Sequence, residues 1–96
     1  MGKSIVTVKP KKLPGGNEPG LALVARSSAD LGAIIRDRRK QLALTQLDLA
    51  GLANSGNRFI VEAENGKPTV QLQKVFDLVQ LLGLELVVRA RTTREP

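Results

Sequence analysis

Residues 45–64 carry the feature that most limits how this chain can fold, two short helical patterns separated by a dense turn signal. Thr45 and Asp48 have the spacing of a capping box, which predicts a helix that begins after Thr45 and ends near Ala53. Another short helix is predicted over residues 57–64. Between the two helices lies a run of turn-forming residues, Asn54, Ser55, Gly56 and Asn57. Asn and Gly tolerate a left-handed backbone, and Ser and Asn can cap the helix that follows.

Helical periodicity continues on both sides of this unit. Ser27 or Ser28 is the predicted N-cap of a first helix, and Gly83 is the predicted stop of a fourth. The apolar positions expected to face the core are Leu31, Ile34, Ile35 and Leu42 in the first helix, Leu47, Ala50 and Leu52 in the second, and Leu72, Val75, Phe76, Val79 and Leu82 in the fourth. We therefore expect a mainly α bundle of four short helices with a β-strand after it.

That C-terminal strand is predicted from alternating residues after Gly83. One of its faces would carry Leu84, Leu86, Val88 and Ala90. A lone strand leaves backbone groups unpaired, so we expect these four residues to form a dimerisation strand that pairs with its copy in a second subunit. The alternative is pairing with a weak strand at Ile5–Val8 of the same chain, and the two arrangements can coexist.

The segments outside the helices differ from them in composition. Residues 9–20 contain three prolines, three glycines and three lysines, so we expect residues 1–27 to form a flexible basic arm, with only weak strand patterns at Ile5–Val8 and Leu21–Val24. The helix-turn-helix domain is then residues 28–83. Residues 84–96 would hold the dimerisation strand and a short tail.

Charge and composition narrow the function classes. The net charge of +6 favours a polyanionic partner, although residues 1–29 hold five of the 15 basic residues and only one of the nine acidic ones. The chain has no cysteine, which excludes disulfides and thiolate metal sites, and no histidine, the commonest general base. We expect no enzyme activity, cofactor, metal or membrane span, and a cytoplasmic, nucleoid-associated protein.

Two short helices joined by a tight turn form the unit that places its second helix in the DNA major groove. The run LTQLDLAGLANSGNRFIVEAENGKP resembles the Cro/phage-repressor (Xre) helix-turn-helix family, whose pattern covers about residues 31–83. The continuation KPTVQLQKVFDLVQLLGLEL resembles HipB-type antitoxins of toxin–antitoxin operons, to about residue 90. The first resemblance implies a lambda-repressor-like fold and a sequence-specific DNA-binding transcriptional repressor.

The narrower resemblance implies an antitoxin that autoregulates its promoter and binds a HipA-like serine/threonine kinase toxin. The alternative is a phage-type or stand-alone Xre repressor without a toxin partner; a multiprotein-bridging coactivator shares the helix-turn-helix, but no residue here favours it. In either repressor we expect a homodimer on a palindromic operator, with half-sites about 34 Å apart.

The family resemblance also implies roles for residues that contact the DNA backbone. Gln46, at the start of the second helix, would touch one phosphate, and a second would be touched by Asn65, Gly66 and Lys67. Arg39 would pair with Glu64, which holds the first helix to the third and orients the arginine near the backbone. An equally good interpretation is that this pair is purely structural, and a structural role and a DNA-backbone role are compatible.

Base-reading candidates follow from the exposed side of the third helix, since Ile60 and Ala63 are expected to face inward. Arg58 can bond guanine O6 and N7, and Asn57 can bond adenine or cap the helix. Val61 can contact a thymine methyl group. Glu62 can accept from cytosine N4, or it can only orient Arg58 four residues away.

Three residues depart from the family pattern at the turn and the third helix. Asn54 replaces the usual turn glycine, and asparagine is the next-best residue at positive φ. Gly56 stands where a side chain often caps the helix or touches DNA. Phe59 occupies a position that is usually small and polar, and it could pack under the turn or remain exposed as a partner contact.

Overall fold

The computed structural model describes residues 4–11 and 23–90, in which it places four helices and three strands. In chain order these are β1 (Ser4–Pro10), β2 (Leu23–Ala25), α1 (Ser28–Gln41), α2 (Gln46–Leu52), α3 (Asn57–Glu64), α4 (Leu72–Leu81) and β3 (Leu84–Ala90). The expected bundle of four helices followed by a C-terminal strand is confirmed. The predicted tail 91–96 and residues 1–3 and 12–22 of the predicted arm lie outside the described residues.

The helix ends follow the capping chemistry of the sequence. Ser27 caps α1 by accepting a hydrogen bond from the Asp30 N–H at 3.1 Å, and Thr45 caps α2. Gly83 ends the last helix with φ of 72°, a left-handed conformation that strains other residues, and the chain then enters β3. Local sequence therefore fixes where α1 and α2 begin and where α4 stops.

The core lies where the four helices and the sheet meet. Its most deeply buried side chains belong to every helix and to β1, and they are Ile35, Leu49, Ile60, Leu78, Leu82, Val8 and Val79. The predicted apolar face of α2 is wrong in part, because Leu47 is 71% exposed and Leu52 is 59% exposed. Ala50 is buried as expected, and Leu49, which was not predicted, is buried beside it because the short helix turns these two neighbours towards the core.

The fourth helix also differs from its prediction. Val75, Val79 and Leu82 are buried as expected, and Leu78 joins them. Leu72 and Phe76, however, are 65% and 38% exposed, because both lie in an open apolar groove of about 490 Å³ between α4, the start of α1 and one end of the sheet.

The first and third helices are in close contact at Gly32. A Cβ atom there would overlap the carbonyl oxygens of Ala63 and Glu64, so the last turn of α3 lies directly against the α1 backbone. Arg36 and Arg39, the next polar residues along this side of α1, are thereby placed beside the end of α3. Glycine at this position sets the geometry of the site described below.

The sheet has the order β2-β1-β3, with antiparallel pairing on both sides of β1. Val6 lies opposite Val88, and Val8 lies opposite Leu86. The alternative expectation, pairing of the C-terminal strand with the N-terminal strand of the same chain, is thus confirmed. The N-terminal segment is not flexible throughout as predicted, since Ser4–Pro10 and Leu23–Ala25 are sheet strands and Val8 is 1% exposed in the core.

Pairing with β1 uses one edge of β3. Within the described residues the other edge of β3 has no strand beside it. Of the four predicted dimerisation residues, Leu84 is 4% exposed in the chain's own core and Leu86 packs against that core, whereas Val88 is 64% exposed and Ala90 is exposed. No helix in the part of the chain described here is long and apolar enough to cross a membrane.

Candidate nucleic-acid interface

The second and third helices are joined by a turn whose backbone is held by the predicted residues. Thr45 and Asp48 form a reciprocal capping box, in which the Asp48 N–H donates to Thr45 Oγ1 at 3.0 Å and the Thr45 N–H donates to Asp48 Oδ2 at 2.9 Å. The backbone hydrogen bond at Thr45 holds the pKa of Asp48 below its usual value. Asn54 takes a φ of 52°, the left-handed conformation expected of it.

The third helix then begins at Asn57 with Gly56 as its N-cap, a residue with no side chain to offer as a cap or a DNA contact. Ile60 and Ala63 face the core, with exposures of 0% and 5%. Phe59 packs partly against the same core, and Lys74 Nζ lies 5.4 Å from the centre of its ring. This places Phe59 in a packing role, one of the two that the sequence left open.

The outer side of α3 presents all four predicted base-reading residues. Asn57 and Arg58 are exposed on its first turn, and Val61 and Glu62 are half-buried one turn later. Since Gly56 is the N-cap, the Asn57 side chain is not required to cap the helix. The outer face therefore combines a guanidinium, an amide, a methyl pair and a carboxylate, groups with which proteins read base edges.

Glu62 is bound by two cations through one oxygen. Its Oε2 accepts from Arg58 Nε at 3.1 Å and from Lys67 Nζ at 3.2 Å. The Arg58 side chain is nevertheless 88% exposed, against 28% for Glu62. The hydrogen bond from Lys67, and after it the one from Arg58, lower the pKa of Glu62. The carboxylate thus lies between a base-reading candidate and a phosphate-binding candidate and accepts a hydrogen bond from each.

The Arg39 and Glu64 pair predicted from the family is present and is buried. Arg39 Nε donates to Glu64 Oε2 at 2.6 Å and Nη2 donates to Oε1 at 3.1 Å, a bidentate pair with side chains 8% and 2% exposed. Arg39 Nη1 also donates to the Leu44 carbonyl oxygen at 2.7 Å. The hydrogen bond to Glu64 raises the pKa of Arg39, whereas burial acts in the opposite direction.

Gln46 joins the same network. Its Nε2 donates to Glu64 Oε1 at 3.1 Å, so the carboxylate of Glu64 ties together α1, α2 and α3. A side-chain amide has two N–H donors, and the second remains for a ligand. Gln46 is therefore held in place by Glu64 and remains half-exposed at the start of α2.

The segment Asn65 to Lys67 is held by hydrogen bonds to α3 on one side and by contacts with α1 on the other. The backbone N–H groups of Asn65, Gly66 and Lys67 donate to the carbonyl oxygens of Val61, Ala63 and Glu62, respectively. Gly66 has φ of 78°, a Cβ on it would overlap Ala29, and its carbonyl oxygen accepts from Ser28 Oγ at 2.9 Å. Gly66 thus offers neither a free N–H nor a side chain for the phosphate contact predicted for it. A glycine is required at this position because the backbone here lies directly against Ala29 of α1.

Arg36 is a residue that the sequence did not single out. It is exposed, and it lines a polar cleft of about 460 Å³ together with Arg39, Gln46, Glu64 and Asn65. The signal that could have identified it is its position one helical turn from both Gly32 and Arg39, because these two residues contact the end of α3.

Comparisons with known proteins agree with this geometry. A family model described as helix-turn-helix matches residues 35–88, a range that contains α2, the turn, α3 and the cleft around Arg36. An uncharacterised HTH-type transcriptional regulator of Sinorhizobium fredii, y4mF, is 46% identical over 65 residues, which span 68% of this chain and 86% of the relative. The family match covers more than half of the chain.

Proposed function

We propose, from the premise that this chain belongs to the Xre-type helix-turn-helix family of DNA-binding transcriptional regulators, that it is a sequence-specific repressor which binds a palindromic operator as a homodimer. The observation that carries the proposal is the outer face of α3, where Arg58 is 88% exposed yet held by Glu62. Arg58 Nε donates to Glu62, so its two Nη groups can donate to guanine O6 and N7.

Direct base contacts are assigned to the first two turns of α3. Arg58 reads guanine, Asn57 reads adenine, and Val61 contacts a thymine methyl group. Oε2 of Glu62 already accepts hydrogen bonds from Arg58 and Lys67. We therefore assign Glu62 mainly to orienting Arg58. Reading of cytosine N4 by Glu62 remains the alternative.

Backbone contacts are assigned to side chains around the reading helix. Gln46, Asn65 and Lys67 would each offer N–H donors to phosphate oxygens, while Arg39 holds Gln46 in place through Glu64. Contacts of this kind fix the register of the protein on the duplex and contribute equally to all sequences.

Dimerisation is proposed through the outer edge of β3 and the apolar groove beside it. Leu84–Ala90 would add its copy as a further antiparallel strand, and Val88, Leu72 and Phe76 would lose their exposure to water. The backbone groups along this edge would make the dimer contact, because the side chains of Leu84 and Leu86 are already packed in the chain's own core. The two copies would then place their α3 helices in successive major grooves.

The dimer is tested by sedimentation of single-charge variants. Val88→Glu places a carboxylate in the groove and should give a monomer, whereas the matched control Val24→Glu, on an exposed residue of β2 at the other edge of the sheet, should leave the dimer intact. A dimer that persists in Val88→Glu at the dilution where the wild type is half dissociated would place the interface elsewhere.

Operator binding is tested by footprinting the protein on the promoter of its own gene. A protected palindrome with half-sites about 34 Å apart is the expected result. Equal affinity for that promoter and for random duplexes of the same length would refute sequence-specific repression.

We also propose, as the narrower form of this function, that the repressor is the antitoxin of a toxin–antitoxin operon, with a HipA-like serine/threonine kinase as its partner. The support is the resemblance of the run from Lys67 to Leu86 to HipB-type antitoxins. A kinase-like reading frame beside the gene, and loss of that kinase's activity on mixing with this protein, are expected. A phage-type or stand-alone repressor would show neither.

A further inference from the structure

The polar cleft at the end of α3 contains more positive charge than its family roles require. Arg39 and Glu64 neutralise each other inside it, with side chains only 8% and 2% exposed. Arg36 is exposed at the rim, and within residues 4–11 and 23–90 no carboxylate oxygen lies within 4.0 Å of its guanidinium. Among the residues that the structure describes, the cleft therefore has one cation without a carboxylate partner, Arg36.

The donors already used in the cleft show which residue is available to a ligand. Three of the five N–H groups of Arg39 donate to Glu64 and Leu44, and its side chain is almost inaccessible. Arg36 has its guanidinium in solvent. Gln46 and Asn65 line the same cleft, and each side-chain amide can present an N–H to it.

We propose that Arg36 is the cation that binds a backbone phosphate of the duplex at this cleft, with the amides of Gln46 and Asn65 as neighbouring donors, and that Arg39 is a positioning residue. The inference rests on the proposed DNA-binding function and names a residue that the function did not include. A planar guanidinium matches two phosphate oxygens at once, so arginine suits this contact better than lysine.

The location of the cleft fits a phosphate beside the major groove. It lies where the last turn of α3 meets the start of α2, whereas Arg58 is on the first turn of α3. A helix inserted in the groove by its N-terminal residues has backbone phosphates along its flanks, where the neighbouring helices contact them. Arg36 and Lys67 would then contact the DNA backbone near the end of α3, beside which they lie.

The test is the salt dependence of binding to a random-sequence duplex. The slope of log K against log salt is negative, and each lost phosphate contact decreases its magnitude by about 0.9. Arg36→Gln should show that decrease and should weaken operator and random duplexes by the same factor, and Arg36→Lys should restore most of the slope. The matched control is Lys9→Gln, because Lys9 pairs with Glu85 on the sheet, on the face turned away from the buried Val8.

An unchanged slope in Arg36→Gln, or an equal decrease in Lys9→Gln, would overturn the proposal. Because random duplex is the probe, a protein that fails to prefer its own promoter still gives a result for Arg36. A second probe is inorganic phosphate, followed by the NMR signals of the Gln46 and Asn65 side-chain amides. Shifts in the wild type that vanish in Arg36→Gln support the cleft even if duplex binding fails, and identical shifts in both proteins count against it.

Discussion

The two arginine–glutamate pairs of α3 have the same chemistry and opposite surroundings. Arg39 and Glu64 join α1 to α3 with side chains 8% and 2% exposed, and Arg58 and Glu62 lie four residues apart on one helix with side chains 88% and 28% exposed. Their closest N–O distances are 2.6 Å and 3.1 Å, and only the buried pair is bidentate. The difference in burial is the larger one, and it decides how the protein responds when one partner is removed.

A buried pair is costly to break, because the remaining charge has lost both its partner and water. Glu64 accepts hydrogen bonds from Arg39 and Gln46, so its loss would remove the side-chain hydrogen bonds that join α1, α2 and α3. An exposed pair contributes at most about 1 kcal/mol, since water and salt screen it. Each group of an exposed pair can therefore leave its partner and bind a ligand at small cost, and base reading requires this.

The largest effect is therefore expected in the buried pair. Arg39→Met should lower the free energy of unfolding by about 3–5 kcal/mol, because it leaves the Glu64 carboxylate unpaired in the interior. Urea denaturation measures the loss. The matched control, Arg58→Met, should change the unfolding free energy by less than about 1 kcal/mol.

The double variant Arg39→Met, Glu64→Leu sharpens this comparison. With both charges removed, we expect much of the stability lost in Arg39→Met to return, because no ion remains buried without a partner. If the double variant is as unstable as the sum of the two single variants, the pair is not coupled and its burial is not the reason for the loss.

The second effect concerns recognition. Arg58→Ala should reduce discrimination at one base pair of the operator by about 1–3 kcal/mol, because a bidentate guanine contact is lost while the fold is unchanged. Competition gel shifts with single-base operator variants measure it. Lys67→Ala is the control, and it should weaken operator and random duplexes alike. Equal weakening of both duplexes by Arg58→Ala would exclude base reading.

Features that depend on neighbours in sequence were predictable here. The Thr45 and Asp48 capping box, the positive φ of Asn54 and the span 57–64 of α3 all appear as expected, because each depends on contacts within a few residues. The pairing of Arg39 with Glu64 spans 25 residues, and it was available only through the family resemblance.

Features that depend on how elements pack were not predictable. Leu47 and Leu52 have the periodicity of a core face and are exposed, because a helix of seven residues offers two plausible faces and α3 contacts the other one. Arg36 differs from Arg38 only in its spacing from Gly32 and Arg39, a signal that becomes informative once these two residues are known to contact α3. Arg38 Nε instead donates to the Leu82 carbonyl at the end of α4. Tertiary packing alone assigns these roles.

A smaller effect is expected from Glu62, whose carboxylate restrains Arg58 and adds a negative charge near the phosphates. Glu62→Gln should raise affinity for all duplexes and lower discrimination at the base pair that Arg58 reads. Glu85→Gln, on β3, removes the same charge and should leave discrimination unchanged. If discrimination falls instead at a different, cytosine-containing pair, Glu62 reads a base itself.

The smallest effect is on the pH dependence of stability. The pKa of Glu62 is lowered in the folded protein, chiefly by Lys67 and then by Arg58, so its contribution is present above its ordinary value of 4.5 and is lost as pH falls through the folded pKa. Urea denaturation of the wild type and Glu62→Gln at pH 6 and pH 3 should show a small advantage of the wild type that is larger at pH 6 than at pH 3. An advantage that is as large at pH 3 would mean that Glu62 acts through packing. The exposed pair would then resemble the buried one, and the contrast between the two pairs would fail.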